Sequence, residues 1–266
     1  MTDLWVIVPA RNEAARIGGT LRALAAQTDL DYSLVVIDNG SDDDTCRIAR
    51  DFAASAPFAV HVIAEPERGI GYAVDTGFRY AIDHRARLLA RTDADCVPRP
   101  GWVAAARAAL DGGAGMACGR IVARRDEEGL AGRAAFRCLV VTATAFGRLR
   151  PSHARRHGYL TPYRMHAGNN MAITADLYRA VGGMPRQRRD TDRDFLNRIR
   201  RRTSAIAQSR AMTVENSTRR LRAYGLRRTA AWYLGRDSGV LAGGVLADGV
   251  LADGVLADGA LTTDPR

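Results

Sequence analysis

The sequence contains no lysine, so all 39 of its lysine-plus-arginine residues are arginine. A phosphate-binding loop ending in Gly-Lys-Ser/Thr, a lysine Schiff base and a lysine general base are therefore all excluded. The four cysteines, Cys46, Cys96, Cys118 and Cys138, lie far apart and form no Cys-x-x-Cys pair. Their spacing excludes the usual structural zinc arrangement and offers no disulfide framework.

Long apolar runs are also absent. The longest, around Leu4 to Pro9 and Leu139 to Ala145, are far shorter than a bilayer-crossing helix, so we expect no membrane span. Residues Met1 to Leu4 lack the basic flank, the apolar run and the cleavage site of a secretory signal. We therefore expect no secretory signal, and a cytoplasmic location. The net charge of +10 fits either compositional bias or an anionic ligand, such as a diphosphate, a phosphorylated acceptor or a membrane surface.

The first part of the chain alternates short apolar runs with stretches of helical periodicity. This alternation predicts an α/β fold: a mostly parallel, Rossmann-like sheet flanked by helices, with ligands at the carboxyl ends of the strands. The predicted strands are Leu4 to Val8, Leu34 to Ile37, Val60 to Ala64 and Leu88 to Ala90. The predicted helices between them are Glu13 to Ala26, Thr45 to Ala54 and Tyr72 to Arg85.

The later part of the chain is less regular. A long loop, Arg150 to Ala167, is predicted as an acceptor-facing flap. From Gly239 onward a Gly-Val-Leu-Ala-Asp/Gly unit repeats every five residues, matching neither helix nor strand, which indicates a low-complexity extension or, alternatively, a partner-binding element. Other predicted elements are helices at Trp102 to Leu110, Gly132 to Leu149, Ala175 to Val181, Asp192 to Arg202 and Arg219 to Leu234, and strands at Met116 to Val122 and Ala211 to Val214.

Polar residues gather after the ends of the first three predicted strands. Pro9 stops the first strand and Glu13 follows it, although an acidic residue there also suits the positive end of a helix. Asp38 lies at the tip of the second strand, where a carboxylate can accept a hydrogen bond from a nucleobase or ribose. After the third strand, Arg68 offers charge to a phosphate and Gly71 allows the backbone close to a ligand.

The fourth predicted strand runs directly into Asp93-Ala94-Asp95. Two carboxylates one residue apart at a strand end can share a hard divalent cation, and that cation can neutralise a diphosphate. We therefore expect Mn²⁺ or Mg²⁺ at Asp93 and Asp95, with a turn and helix cap as the alternative. The glycines after the third strand do not form Gly-x-Gly-x-x-Gly, which would need a glycine at Val74, so a Rossmann dehydrogenase is disfavoured.

An ordered set of segments resembles the family 2 glycosyltransferases, which are inverting enzymes of GT-A fold. The resemblance covers roughly residues 4 to 220, and it adds a smaller C-terminal acceptor-side region to the predicted fold. We divide the chain into a nucleotide-sugar-binding half at 1–123, an acceptor-side and catalytic-base region of the same domain at 124–236, and a repeat tail at 237–266. The segments that carry the resemblance are Val6 to Glu13, Val36 to Thr45, Arg68 to Ala73, Thr92 to Asp95, Gly168 to Gly183 and Asp190 to Ile199.

The resemblance implies roles for individual residues. Pro9, Glu13 and Asp38 would border the nucleoside, with Asp38 near the base. Asp93 would face ribose or diphosphate, and Asp95 would bind the metal.

The catalytic base is placed by the same resemblance. The family usually carries Glu-Asp at the start of its acidic helix, with the aspartate as base. Alignment on Arg198 puts Thr191 and Asp192 there, so Asp192 matches the base and the glutamate is absent. Asp190 and Asp194 stay open as substitutes.

The late part of the chain leaves further roles open. No histidine follows His166, so a third protein ligand to the metal is not identified. Arg219 and Arg220 are candidates for closing on a phosphate, with a solvated basic helix face as the alternative. His166 is a candidate acceptor contact, and a structural histidine is the other interpretation.

Together these features predict a metal-dependent glycosyltransferase with a nucleotide-diphosphate sugar as donor and a small molecule or lipid phosphate as acceptor. Peripheral membrane contact stays open, and so do the sugar, the base (uridine or guanosine) and the oligomeric state. A sugar-1-phosphate nucleotidyltransferase is the first alternative, but residues 10–17 lack its glycine-rich loop. A non-catalytic protein that binds an anionic ligand is the second. Dispersed charge without interleaved aromatics argues against a nucleic-acid partner.

Overall fold

The computed structural model describes residues 2–149, 158–162, 168–187 and 191–219. Strands and helices alternate through the first half of these residues, as the periodicity predicts. The strands are β1 Leu4–Ala10, β2 Ser33–Asp38, β3 Val60–Ala64, β4 Leu88–Thr92, β5 Val97–Pro98, β6 Met116–Ala123, β7 Asn170–Thr174 and β8 Ile206–Asn216. The helices are α1 Ala14–Ala25, α2 Thr45–Ala53, α3 Ile70–Asp83, α4 Trp102–Asp111, α5 Leu130–Leu149, α6 Ala175–Ala180 and α7 Thr191–Arg202.

The strands form one sheet in the order β3-β2-β1-β4-β7-β6-β8-β5. Its first four strands are all parallel, and we call them the parallel half. The other four are the mixed half: β7 runs antiparallel to both β4 and β6, β8 runs parallel to β6, and β5 ends the sheet antiparallel to β8. The carboxyl ends of β1, β2 and β4 therefore meet at one edge.

Each face of the sheet is covered by helices. Alternate residues of a strand point to opposite faces, so β1 sends Val6 to one core and Ile7 to the other. The first core includes Leu21 of α1 and Trp102 of α4, and the second includes Phe195 of α7. Burying a side chain of this size contributes about 2 kcal/mol, so the two cores fix α7 against the same sheet as α1.

Helix α3 crosses the sheet very closely at Gly77. A Cβ atom at this position would lie 2.5 Å from Cδ1 of Ile37 and 3.3 Å from Cγ2 of Ile7. Any side chain would push the helix away from β1 and β2, and the loop that precedes α3 would move with it.

The predicted elements of the parallel half are confirmed, with ends that shift by a few residues. The mixed half was predicted less completely. Strands β5 and β7 were not predicted, and β8 begins five residues before the predicted Ala211. Most of the predicted loop at 150–167, nearly all of the predicted helix at 219–234 and the repeat tail lie outside the described residues.

The predicted division of the chain at residues 123 and 236 stays a prediction. One sheet includes strands from both sides of residue 123, and residue 236 lies outside the described residues. No helix in the described ranges combines the length and the apolarity that a membrane crossing requires.

Candidate active site

The loops after β1 and β2 are bound to each other. The backbone amides of residues 12–14, which open α1, donate to Ser41 Oγ at 3.0 Å, Thr45 Oγ1 at 2.8 Å and Asp43 Oδ2 at 3.0 Å. These side chains fill hydrogen-bonding positions that a helix start leaves open. Asp38, half-buried at the end of β2, accepts from the Ser41 amide at 3.2 Å. The loop thus holds Asp38 at the same edge as Pro9.

Asn39 organises the loop between β3 and α3. Its side-chain amide donates to the carbonyls of Glu65 and Glu67, and its carbonyl oxygen accepts from the Gly69 amide at 2.8 Å. Arg68 is exposed, and its Nε lies 4.0 Å from the position a Cβ of Gly40 would take. This places the Arg68 guanidinium beside the end of β2, where a phosphate-binding role was predicted.

The space beside Gly71 is filled by protein. A Cβ there would lie 2.3 Å from the Pro185 carbonyl oxygen and 2.7 Å from Cγ2 of Thr191. The glycine therefore allows α3 to pack against the segment that leads into α7. Its predicted approach to a ligand stays a prediction.

The Asp93-Ala94-Asp95 turn after β4 is anchored through its backbone. The buried Thr20 Oγ1 donates to the carbonyls of Ala94 and Cys96, both at 2.7 Å. Arg124 donates to the Asp95 carbonyl at 3.1 Å. The side chains of Asp93 and Asp95 are 26% and 20% exposed, so both carboxylates stay accessible at the edge of the sheet.

Arg91 joins two of the predicted site residues. This β4 arginine is 2% exposed, and its Nε donates to Asp93 Oδ1 at 3.0 Å while one terminal nitrogen donates to Asp192 Oδ1 at 2.8 Å. Asp192 lies in the first turn of α7 and is 36% exposed. The predicted base and the predicted metal site are therefore neighbours. Arg91 was not predicted as a site residue, although a charged residue inside a buried strand is a signal that an acidic partner lies nearby.

Arg219 makes the second connection. Its guanidinium donates to both carboxylate oxygens of Glu13, one of them at 2.9 Å, and lies 3.2 Å from Asp95 Oδ2. This arginine was predicted to close on a phosphate. Here it pairs with the carboxylates that lie beside the predicted metal position.

Burial shapes the charges at this edge. It raises the pKa of Glu13 to about 7, although the hydrogen bond from Arg219 opposes the rise. Burial also raises the pKa of Asp93 above its usual value; Arg91 opposes this, and the charge of Asp95 adds to it. Four carboxylates, those of Glu13, Asp93, Asp95 and Asp192, are paired with the guanidiniums of Arg91, which is buried, and of Arg219, which is 12% exposed. When all four carboxylates are ionised, a net negative charge remains even if Arg16, whose guanidinium lies 3.8 Å from the Glu13 carboxylate, is counted as a third cation.

This arrangement fits a divalent cation that arrives with a diphosphate. No cluster of three His, Cys, Asp or Glu side chains with metal-binding geometry occurs within the described ranges. Mg²⁺ is usually held by only one or two carboxylates, with waters and substrate phosphates completing its coordination. Asp93 and Asp95 would supply such hard oxygen ligands, and the remaining negative charge would attract a cation.

Of the three aspartates considered as the base, Asp192 and Asp194 lie within the described residues and differ in their partners. Asp194 accepts a hydrogen bond from the Gln187 side chain at 2.8 Å, whereas Asp192 pairs with Arg91 beside Asp93. His166, Asp190 and Arg220 lie outside the described residues.

Solved structures share this fold. The mannosyltransferase PcManGT from Pyrobaculum calidifontis, in complex with GDP-Man and Mn²⁺, is 24% identical with a TM-score of 0.60, over 80% of this chain and 56% of that chain. S. aureus TarS in complex with UDP-GlcNAc is 15% identical with a TM-score of 0.59, over 81% of this chain and 58% of that chain. The curved eight-stranded sheet flanked by helices is thus the GT-A fold of glycosyltransferases.

The sequence matches a known family over most of its length. Glycosyl transferase family 2 is matched by residues 5–179, and this chain belongs to that family. Glycosyltransferase AglE of Haloferax volcanii is 35% identical over 100 residues, which cover 37% of this chain and 32% of AglE. The chain therefore matches only about a third of the length of this curated relative.

Proposed function

We propose that this protein is a metal-dependent, inverting glycosyltransferase that moves a sugar from a nucleotide-diphosphate donor to an acceptor hydroxyl. The observation that carries this proposal is the convergence of four carboxylates on the guanidiniums of Arg91 and Arg219 at the carboxyl edge of the sheet. That edge is where α/β sheets bind their ligands. The local excess of negative charge suits a divalent cation, for which Asp95 and Asp93 are the proposed ligands.

The donor would lie along the ends of β1, β2 and β4. Pro9, Glu13 and Asp38 are proposed to border the nucleoside, and Arg68 and Gly71 to face the phosphates. Support comes from their common position at one edge of the sheet. The solved relatives bind GDP-Man with Mn²⁺ or UDP-GlcNAc, which supports a guanosine or uridine diphosphate sugar and Mn²⁺ or Mg²⁺ as cofactor.

Asp192 is the proposed base. Its carboxylate would take the proton of the acceptor hydroxyl as the oxygen attacks the anomeric carbon from the side opposite the diphosphate. The bond from that carbon to the diphosphate oxygen breaks, the electron pair leaves with the nucleotide, and the anomeric centre inverts. A bound divalent cation would neutralise the departing diphosphate. The exposure of Asp192 beside Asp93 supports this role over Asp194, which pairs with Gln187.

The acceptor is proposed to be a small molecule or a lipid phosphate, reached from the mixed half of the sheet. The chain would act in the cytoplasm, with contact to a membrane surface if the acceptor is lipid-linked.

A donor screen with a metal-site variant tests the proposal. Incubating the protein with UDP- and GDP-sugars and Mn²⁺ or Mg²⁺ should release the nucleoside diphosphate, and nucleotide with Mn²⁺ should raise the melting temperature. Asp95→Asn should abolish the thermal shift and lower turnover about 1,000-fold, because several kcal/mol of charge stabilisation is lost. Asp111→Asn, at the exposed end of α4, is the matched control and should behave as wild type.

Two outcomes would contradict the proposal. One is a melting temperature that does not change with any combination of nucleotide and metal. The other is release of pyrophosphate from a nucleoside triphosphate and a sugar phosphate, which would identify a nucleotidyltransferase.

A further inference from the structure

Arg91 is the most deeply buried charge at the site. It lies in the interior of β4, opposite Ile7 of β1 and Met171 of β7 in the strand register. Its side chain is only 2% exposed, so it has almost no surface on which a substrate can bind. Burial disfavours the charged form of Arg91, but the charges of Asp93 and Asp192 outweigh it and raise the pKa of Arg91 further. A cation buried this deeply is tolerated only when its partners are well placed.

The two partners of Arg91 come from different parts of the chain. Asp93 is two residues away, whereas Asp192 is 101 residues away on α7. The planar guanidinium donates to both through separate nitrogens, in a geometry that a lysine ammonium does not reproduce. One rigid group therefore sets the distance between the proposed base and the proposed metal site.

Asp192 is confined from a second side. A Cβ on Gly168 would lie 2.0 Å from Asp192 Oδ2, so the backbone passes directly beside that oxygen. The neighbouring Thr191 is buried against Gly71 at the start of α3. The carboxylate thus has Oδ1 bound to Arg91 and both of its oxygens close to Gly168, while 36% of the side chain remains exposed.

We propose that Arg91 is a positioning residue, which holds the Asp192 carboxylate in the orientation needed to take the acceptor proton. This inference rests on the function proposed above, with Asp192 as base. Arg91 contacts no substrate and acts only through the carboxylates that it binds. Without the guanidinium of Arg91, α7 still packs on the sheet, but the Asp192 side chain is free to rotate. Small misplacements of a catalytic group lower the rate strongly.

A double-mutant cycle on donor turnover tests this role. Arg91→Lys, Asp192→Asn and the double variant are compared with wild type, using the donor and metal selected by the screen. We expect kcat to fall about 100-fold in Arg91→Lys, while KM for the donor stays within about threefold. The double variant should be no slower than Asp192→Asn alone, within about threefold, because residues that act as a unit are not additive.

Arg107→Lys is the matched control. Arg107 also bridges two carboxylates through Nε and a terminal nitrogen, to Asp29 at 2.8 Å and Asp3 at 2.7 Å, but it does so at the opposite edge of the sheet. This substitution removes a similar pair of hydrogen-bonded ion pairs away from the proposed site, so it should lower stability and leave kcat unchanged.

The possible results separate the two proposals. A wild-type protein that turns over no donor counts against the proposed function. If wild type is active but the Arg91 and Asp192 losses multiply, or if Arg91→Lys changes only KM, the positioning role is overturned. If Arg91→Lys does not fold, Arg91→Gln, which keeps a donor near Asp192, takes its place. Failure of both variants to fold assigns Arg91 to the fold alone and rejects the proposal.

Discussion

The two halves of the sheet are assembled in different ways. In the parallel half β1, β2 and β3 are each followed by a helix, and these three strands are neighbours both in sequence order and in the sheet. In the mixed half, β7 lies between β4 and β6, and β8 lies between β6 and β5, so pairing joins segments that are far apart in sequence. Such pairings require long chain segments to be ordered first.

The proposed site lies where the two halves meet. Glu13 and the Asp93–Asp95 turn follow strands β1 and β4 of the parallel half. Asp192 lies on α7, which precedes β8 of the mixed half, and Arg219 follows β8. Two arginines cross between them in opposite directions, Arg91 to Asp192 and Arg219 to Glu13. The difference shows that the proposed binding groups are held by local βα units, while the proposed base is brought in by tertiary contacts. The predictions below break these connections, beginning with the largest effect.

Removing the carboxylate that the mixed half contributes should abolish most activity. In Asp192→Asn we expect kcat to fall about 100- to 10,000-fold, because a general base is lost, while the thermal shift with nucleotide and Mn²⁺ stays within a degree or two of wild type. Steady-state donor turnover and thermal melting measure the two effects.

Asp194→Asn is the control within the same helical turn. Its carboxylate contacts Gln187, so we expect at least half of the wild-type activity. Equal losses in the two variants would argue against Asp192 as the base.

Cutting the connection from Arg219 should destabilise the fold. Arg219→Met leaves the buried Glu13 carboxylate without its bidentate partner, which should cost about 3 kcal/mol in the free energy of unfolding near pH 8. Chemical denaturation measures it. The loss should shrink at pH 5, where Glu13 takes up a proton.

Arg47→Met supplies the comparison for that loss. Arg47 pairs with Asp44 and Asp51 on an exposed face of α2, where water and salt screen the charges, so the loss on substitution should be small. Equal losses in the two variants would mean that Arg219 does not hold Glu13 in solution.

The smallest expected effect is a change in pH dependence. The pKa of Glu13 is raised from 4.5 to about 7, so between these values the folded state binds more protons than the unfolded state. Stability from this group is therefore full below about pH 4.5 and is lost as the pH rises through 7. Glu13→Gln cannot ionise, and its unfolding free energy should fall less between pH 5 and 8, by roughly 2.5 kcal/mol.

Denaturation at several pH values measures that slope, and Glu67→Gln is the control because Glu67 is exposed at the same edge. Parallel pH profiles for wild type and Glu13→Gln would show that Glu13 titrates normally.

Much of the parallel half could be predicted from the sequence. Its strands and helices follow from hydrophobic periods of two and 3.6, which depend only on neighbouring residues. The strand-end positions of Asp38, Asp93 and Asp95 follow from the same pattern, because the carboxyl ends of parallel strands share an edge.

The mixed half could not be predicted in the same way. The two-residue β5 is too short to show a period. The buried β7 pairs with β4 and β6, strands that lie far from it along the chain. Its neighbours in the sheet are not its neighbours in sequence.

By itself, the sequence determined the α/β class, the parallel half and the acidic groups at its edge, because these depend on local patterns of apolar and charged residues. Only the tertiary structure decided which charges meet. Arg91 reaches Asp192, and Arg219 reaches Glu13 and Asp95, across separations that no local pattern encodes. A buried charge must have a partner, but which partner it has is set by the packing of α7 against the sheet and by the pairing of β8 within it.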